Sequence, residues 1–209
     1  DQFESYEYDV SQQMYHYATD KTSRRSATAY FSEDPNDSIL EIDYYIALET
    51  NGSSYISFYS EGIETNLNLN DSMAYTKHLS LYPANKRMTN PIAIYSFHSI
   101  KKWIEKNSRY STFKNLVLKD TIIDGKKCDL FSYNIDFKEH AYWYNFPKKT
   151  INRTVNSVNI AFSKESQLPV YLNCRENFSS KNYKVEKSWF SNFHQTHYNK
   201  QKLSEESVP

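Results

Sequence analysis

The 209-residue chain has very little glycine, no excess of either charge and no long hydrophobic run. With three glycines in all, a glycine-rich loop that cradles phosphate groups is excluded. The 25 basic residues are balanced by 25 acidic ones, which argues against a nucleic-acid partner. No apolar run approaches the roughly 18 residues of a membrane-spanning helix, so we expect a protein that is peripheral to a membrane at most.

Chemical motifs are missing as well. There is no Gly-x-Ser-x-Gly and no His-Glu-x-x-His. His194 and His197 are three apart, and residues at that spacing in a strand face opposite sides, so no metal site is expected. Glu41 and Asp43 are expected on the solvated face of one strand, and nothing indicates the facing carboxyls of a glycan hydrolase. The sequence therefore predicts no catalytic residue, no metal, no cofactor and no enzymatic activity.

Cys128 and Cys174 are the two cysteines of the chain. Their spacing excludes a Cys-x-x-Cys motif, and each lies on a predicted strand. Two interpretations stay open. The thiols form a disulfide if the strands are neighbours and the Cα atoms come within about 7 Å, or they are buried and behave as small hydrophobic groups.

The strongest positive signal is strand alternation. Aromatic residues make up 16% of the chain, with 19 Tyr and 12 Phe, and such side chains suit a half-buried pleated surface. Residues 39–49 alternate with a period of two, which predicts a strand with one dry and one wet face. Asn51-Gly52 then predicts a tight hairpin turn, and Asp124-Gly125 predicts another. The other predicted strands are 6–17, 24–31, 55–59, 65–70, 73–81, 113–119, 128–137, 158–163, 168–176 and 182–193.

One helix is well signalled near the middle of the chain. Asn90 is a good N-cap and Pro91 suits the first helical position. One apolar stripe follows at helical spacing and is predicted to pack on a sheet face; its members are Ala93, Phe97, Ile100 and Ile104. Residues 142–146 form an aromatic segment, which either turns inward or is exposed for stacking on sugars or proteins.

These elements predict a mainly β (α+β) fold. We expect a strongly curved antiparallel sheet or half-barrel of about ten strands, with one central helix packed on its concave face. Residues 1–193 are predicted as a single domain and 194–209 as a polar tail or linker. Since the apolar face must be covered, it forms either a filled core or a pocket for an apolar ligand. The candidate ligand-binding residues are Ile42, Tyr44, Ile46, Ile56, Phe58, Leu67 and Leu69, with Phe97 and Ile100 from the helix.

The chain also resembles a known family. The meander, the capped helix, the turn at residues 120–128 (DTIIDGKKC) and the hairpin from Phe162 to Leu168-Pro169-Val170 together are similar to LolA-like periplasmic proteins. These are relatives of lipoprotein carriers, and the narrower resemblance is to secreted members from Bacteroidetes-type bacteria. The resemblance implies an unclosed antiparallel barrel lidded by helices, with a hydrophobic face that receives an acyl chain of a lipid or lipoprotein. It also implies export to the periplasm or cell envelope, with the signal sequence already removed.

Two functions are therefore predicted. The first is a non-enzymatic, exported binding protein that holds an apolar ligand or a lipidated partner in a hydrophobic half-barrel. The alternative is an interaction or scaffold domain with a filled core. Some members of the family that the chain resembles precede a thioredoxin-like domain, so this alternative includes an adjacent redox domain as partner.

Overall fold

The structure is a computed structural model that describes residues 5–81, 116–136, 155–179 and 182–196. Within these ranges the chain forms eleven strands, two short 3-10 helices and no α-helix, which confirms the mainly β class. The predicted helix with Phe97 and Ile100, and the aromatic segment 142–146, lie outside the described residues. The strands are β1 (Ser5–His16), β2 (Lys21–Glu33), β3 (Ile42–Thr50), β4 (Ser53–Ser60), β5 (Ile63–Asn68), β6 (Met73–His78), β7 (Val117–Ile123), β8 (Lys126–Asp136), β9 (Val155–Ser163), β10 (Pro169–Ser179) and β11 (Asn182–Gln195).

The strands follow one another as a meander in most of the sheet. Their hydrogen-bonded order is β6-β5-β4-β3-β2-β1-β11-β10-β9-β8-β7. The pairings from β2 to β6 and from β7 to β11 are all antiparallel. The predicted antiparallel meander is thus confirmed for the described residues. In this order β1, the first of the described strands, lies next to β11, the last of them.

The described residues belong to two compact units. Unit 1 comprises residues 5–11, 25–81 and 191–196, and unit 2 comprises 12–24, 116–136, 155–179 and 182–190. The strands β1, β2 and β11 each contribute one part to unit 1 and another part to unit 2. The single domain over residues 1–193 and the tail over 194–209 stay predictions.

All three glycines of the chain lie in tight hairpin turns. Each is the second residue of a two-residue hairpin turn and has a positive φ: Gly52 at +79°, Gly62 at +81° and Gly125 at +77°. The residue before each glycine also has a positive φ, near +50°. Two successive positive φ values define the type I′ turn, whose twist matches that of the strands that it joins. The turns predicted at Asn51-Gly52 and Asp124-Gly125 are confirmed.

Two of these glycines form a matched pair for mutagenesis. Gly52→Ala should lower the free energy of unfolding by about 1 kcal/mol, because alanine pays the usual cost of a left-handed φ. A Cβ at Gly62 would additionally lie 3.0 Å from Ile39 Cδ1, whereas nothing lies within 4 Å of one at Gly52. We therefore expect Gly62→Ala to cost more, about 2 kcal/mol, in chemical denaturation. Equal costs would show that Ile39 yields freely to the new methyl group.

Strand β3 differs from the prediction in its start and in its burial. Asp37 accepts hydrogen bonds from the backbone N–H groups of Ile39 and Leu40, so these residues belong to the loop that precedes the strand. The predicted wet face is confirmed only towards the end of the strand, where Glu49 is exposed. Asp43, on the same face, is 2% exposed. Glu41 lies outside the strand with φ +61°. Strand β3 is buried on both faces only at its start, over residues 42–44, and there the polar–apolar contrast on which a face assignment depends is lost.

Other strand boundaries shift for local reasons. Strand β5 ends at Asn68, two residues before the predicted end, because the Asn68 side chain accepts a hydrogen bond from the Asn70 N–H and forms a turn. Strand β6 ends at His78, and Leu79–Leu81 continue as a 3-10 helix. Strand β11 continues to Gln195, two residues past its predicted end.

The two cysteines lie on opposite faces of unit 2. Cys174 is paired with Val158, and Val158 with Tyr133, so these three share one face. Cys128 is five residues before Tyr133 on the same strand, which places it on the other face. There Cys128 packs with Ala161 and Val170 in a small buried cluster. The two cysteines do not form a disulfide. Cys128 is buried, as the second interpretation predicts, whereas Cys174 is only half-buried.

Candidate functional site

The register of unit 1 separates the predicted ligand-binding residues into two groups. Ile42, Tyr44 and Ile46 share one face of β3. Thr50 is paired with Ser53, so even-numbered residues of β3 lie opposite odd-numbered residues of β4. Tyr44 is therefore opposite Tyr59, whereas Ile56 and Phe58 point to the other face. The expectation that all these residues line one apolar face is wrong.

The remaining predicted residues follow the same division. Leu67 is paired with Ile56 and belongs to that second face. Leu69 lies beyond the end of β5 and is 41% exposed. Phe97 and Ile100 are outside the described residues. Ile42, Tyr44, Ile46, Ile56 and Phe58 are all buried, so both groups belong to the packed interior of unit 1. Their role in ligand binding stays a prediction.

The face of Tyr44 carries a row of buried rings, which we call the aromatic face and define as Tyr6, Tyr8, Phe31, Tyr44 and Tyr59. The ring centroids of Tyr8 and Phe31 are 5.7 Å apart, those of Phe31 and Tyr44 6.1 Å, and those of Tyr44 and Tyr59 5.6 Å. These separations fall in the range of favourable aromatic pairs. Of these five rings, Tyr44 alone was named as a candidate from the sequence. The other four were not identified, although the period of two within each strand was there to place them on one face.

The hydroxyl groups of Tyr44 and Tyr59 each donate a hydrogen bond to a carboxylate. The Tyr44 hydroxyl donates to Glu64 Oε1 at 2.6 Å, and Lys77 Nζ donates to Glu64 Oε2 at 3.4 Å. The Tyr59 hydroxyl donates to Asp37 Oδ2 at 2.5 Å. Burial, followed by the neighbouring carboxylate, raises the pKa of Tyr44 and the pKa of Tyr59 well above the ordinary tyrosine value. Both phenols are therefore fixed donors, and this arrangement stabilises a fold rather than moving protons.

Unit 2 has an apolar face of its own, which we call the Ile160 face. It consists of Leu118, Phe131, Tyr133, Val158, Ile160, Phe162 and Leu172. Ile160 and Leu172 are fully buried, Phe131 and Phe162 are half-buried and meet edge to face at 5.6 Å, and Leu118 is 59% exposed. Apolar surface thus continues from the interior of unit 2 to its solvent boundary on β7.

Charged groups border both ends of the Ile160 face. Lys164 Nζ lies 2.7 Å from Asp120 Oδ1 and 3.2 Å from Asp129 Oδ1, and these hydrogen bonds raise the pKa of Lys164. At the other end, buried Glu186 accepts from Gln12 Nε2 at 2.8 Å and lies 2.7 Å from Lys184 Nζ. Glu186, the buried carboxylate of the three, has both an amide and a cationic partner, as buried charge requires.

Metal ligands do not gather in the described part of the chain: no group of three or more His, Cys, Asp or Glu side chains is placed to hold an ion there. His194 lies near Glu7, with 3.8 Å between Nε2 and Oε1, while His197 is outside the described residues. Among the described residues, no helix is long and apolar enough to cross a membrane.

No protein-family model matches the sequence, and no curated protein matches it. Several solved structures are similar in fold. The lipoprotein LppX of Mycobacterium tuberculosis has a TM-score of 0.49 at 9% identity, over 94% of this chain and 90% of that chain. A LolA superfamily protein of Nitrosomonas europaea has a TM-score of 0.46 at 6% identity, over 100% and 93%. LprF of Mycobacterium bovis has a TM-score of 0.46 at 8% identity, over 91% and 87%.

One of these structures is a member of the LolA superfamily, the family that the sequence resembles. All three TM-scores are below 0.5 and all three identities are below 10%. The similarity therefore says nothing about what this chain binds, and the chemistry of its own described residues has to carry any functional assignment.

Proposed function

We propose that this chain is a non-enzymatic binding protein for an apolar ligand, namely the acyl chain of a lipid or of a lipidated partner protein. The observation that supports it is the gradient along the Ile160 face. Ile160 and Leu172 are fully buried, Phe131 and Phe162 are half-buried, and Leu118 is 59% exposed. A ligand that lies along Phe131 and Leu118 would contact apolar side chains that continue the interior of unit 2. Such a contact does not bury an unpaired polar group.

The energy of such binding comes from removing apolar surface from water. Each acyl CH₂ group that is buried contributes about 0.8 kcal/mol, and the ligand also covers Leu118 and the exposed parts of both phenylalanine rings. Lys164, Asp120 and Asp129 border this surface as a cluster with one net negative charge, which suits a neutral or cationic head group. We propose that the protein works in the periplasm or cell envelope, peripheral to the membrane.

The direct test is the composition of the purified protein. After expression with export and mild extraction, native mass spectrometry should find the full chain with a bound lipid or acylated peptide. A chain that is lipid-free and does not raise the fluorescence of a hydrophobic dye would overturn the proposal. No catalytic residue is proposed.

Leu118 and Val117 provide a matched pair for locating the ligand. They are neighbours on β7, both exposed, and point to opposite faces. Leu118→Ser should weaken binding of a fluorescent fatty acid about fivefold, since roughly 1 kcal/mol of apolar contact is lost. Val117→Ser should leave the affinity unchanged. Equal losses in both variants would place the ligand elsewhere.

One observation favours the second predicted function, an interaction domain with a filled core. Ile42, Tyr44 and Ile46 are completely buried, so this part of unit 1 is packed by the chain's own residues. Under this alternative, removing lipid by extraction in denaturant followed by refolding leaves Tm unchanged. Under the ligand-binding proposal, adding lipid at 100 times its Kd stabilises the chain by about 2.7 kcal/mol and raises Tm.

A further inference from the structure

Strand β7 is the end strand of the described sheet. Within the described ranges it has one neighbour, β8, with which it pairs from Val117–Ser132 to Ile123–Lys126. Its apolar side chains are unusually accessible: Val117 is 44% exposed, Leu118 59% and Ile122 69%. An accessible apolar end strand is a template for pairing with another strand.

The turn after β7 determines which backbone groups are available. Ile123 and Lys126 flank the two-residue type I′ turn, so they form the hydrogen-bonded pair that closes it. Hydrogen-bonded and non-hydrogen-bonded positions alternate along an antiparallel strand. Thr121 and Lys119 therefore bond to β8 as well. The N–H and C=O groups of Leu118, Asp120 and Ile122 point away from β8.

We infer that β7 pairs with β7 of a second copy of this chain, antiparallel and centred on Asp120. In this register each outward-facing residue meets another outward-facing one: Leu118 meets Ile122 of the second copy, and Asp120 meets Asp120. On the other face Val117 meets Ile123 and Lys119 meets Thr121. Centring on Lys119 would also join outward-facing groups, but it would set Leu118 opposite Asp120. Centring on Thr121 would set Ile122 opposite Asp120, so both of these registers place apolar side chains against a carboxylate. The Asp120 register joins apolar to apolar side chains at all four outer pairs.

Charge determines how strong this pairing can be. Two Asp120 carboxylates meet at the two-fold axis, and like charges directly opposite in a sheet are unfavourable. Lys164 offsets this repulsion, because its ammonium group lies 2.7 Å from Asp120 in each copy. Asp129, at 3.2 Å from the same ammonium, leaves each cluster with one net negative charge. We therefore expect a weak dimer that tightens as salt screens the axis.

A second copy is favoured over a foreign strand because of the symmetry of the sequence. Residues 117–123 are apolar, apolar, charged, charged, polar, apolar and apolar. When two copies pair antiparallel about Asp120, apolar side chains therefore lie opposite apolar ones and polar side chains opposite polar ones. The pairing does not depend on ligand binding, so it can hold or fail independently of the proposed function.

Cysteine cross-linking of the full-length chain tests the register. Paired Cα atoms at hydrogen-bonded positions are about 5.5 Å apart, within disulfide range. Asp120→Cys should therefore give a covalent dimer under mild oxidation. In Lys119→Cys the two cysteines sit diagonally, about 7–8 Å apart, and should not cross-link. Equal cross-linking of both variants, or an Asp120→Cys adduct whose mass is not twice that of the chain, would overturn the inference.

Sedimentation equilibrium supplies a readout that needs no new thiol. Asp120→Asn removes the repulsion at the axis and should tighten the dimer about threefold at low salt. Lys164→Gln should weaken the dimer, and Ile122→Lys should abolish it. A wild-type chain that stays monomeric at millimolar concentration in high salt, or that dimerises as well with Ile122→Lys, would also overturn the inference.

Discussion

Glu64→Ala is expected to lower the free energy of unfolding by about 3–5 kcal/mol, the usual cost of removing one partner from a buried charged pair. Glu64 is fully buried and accepts from both the Tyr44 hydroxyl and Lys77 Nζ. Without its carboxylate, a buried phenol loses its acceptor and an ammonium group, a quarter exposed, loses its counter-charge. Guanidinium denaturation followed by tryptophan fluorescence measures the change.

Two variants separate charge from hydrogen bonding at this position. Glu64→Gln keeps an oxygen that accepts from Tyr44, so we expect a loss of about 1–2 kcal/mol. The triple variant Glu64→Met, Lys77→Met, Tyr44→Phe removes these three polar groups together and should recover most of the stability that Glu64→Ala loses. If Glu64→Ala costs less than about 1 kcal/mol, the carboxylate is not buried as the structure describes.

Phe31→Ala is the second variant with a large expected effect. The ring is fully buried in the aromatic face, with centroids 5.7 Å from Tyr6, 5.7 Å from Tyr8 and 6.1 Å from Tyr44. Its removal leaves a cavity bordered by three rigid rings that cannot easily close it. We expect a loss of about 3–5 kcal/mol in the free energy of unfolding, measured in the same denaturation experiment.

Two control variants, one conservative change at Phe31 and one change at an exposed residue, calibrate the stability loss expected for Phe31→Ala. Phe31→Leu keeps most of the volume and should cost about 1–2 kcal/mol. Met73→Ala removes an apolar side chain of the same unit that is mostly exposed, and should stay within about 0.5 kcal/mol of wild type. A Phe31→Ala variant as stable as Phe31→Leu would mean that the neighbouring rings repack.

The strands and their turns were largely predictable from the sequence, but the face assignment was not. Asn51-Gly52 already indicated a two-residue turn, and such a turn pairs Thr50 with Ser53. From this pairing Ile46 must face Ser57, and Ile56 must face Ala47. The error arose because Ile56 and Phe58 read as the apolar residues of β4. In the structure Tyr59 is equally buried, with its hydroxyl bonded to Asp37.

Buried carboxylates are the part that sequence reasoning could not supply. Glu64 and Asp37 each partner a tyrosine that is about 20 residues away in the chain. A single Asp or Glu in an alternating strand reads as solvent-facing, because most are. What reveals the burial is the strand register, which brings Glu64 beside Tyr59 and Lys77. The candidate face of unit 2 was missed for a similar reason: its strands were recognised, but their shared apolar side was not assigned.

The neighbouring positions of β1 and β11 have a consequence for the order in which the chain is synthesised. In unit 1 the backbone N–H of Thr196 donates to the carbonyl of Ser5, and in unit 2 Gln12 donates to Glu186. Each unit is therefore completed by residues from both ends of the described chain. A ribosome that has released residue 180 still withholds β11, which contributes residues to both units. Folding must wait for that last strand, and such long-range closure is slow.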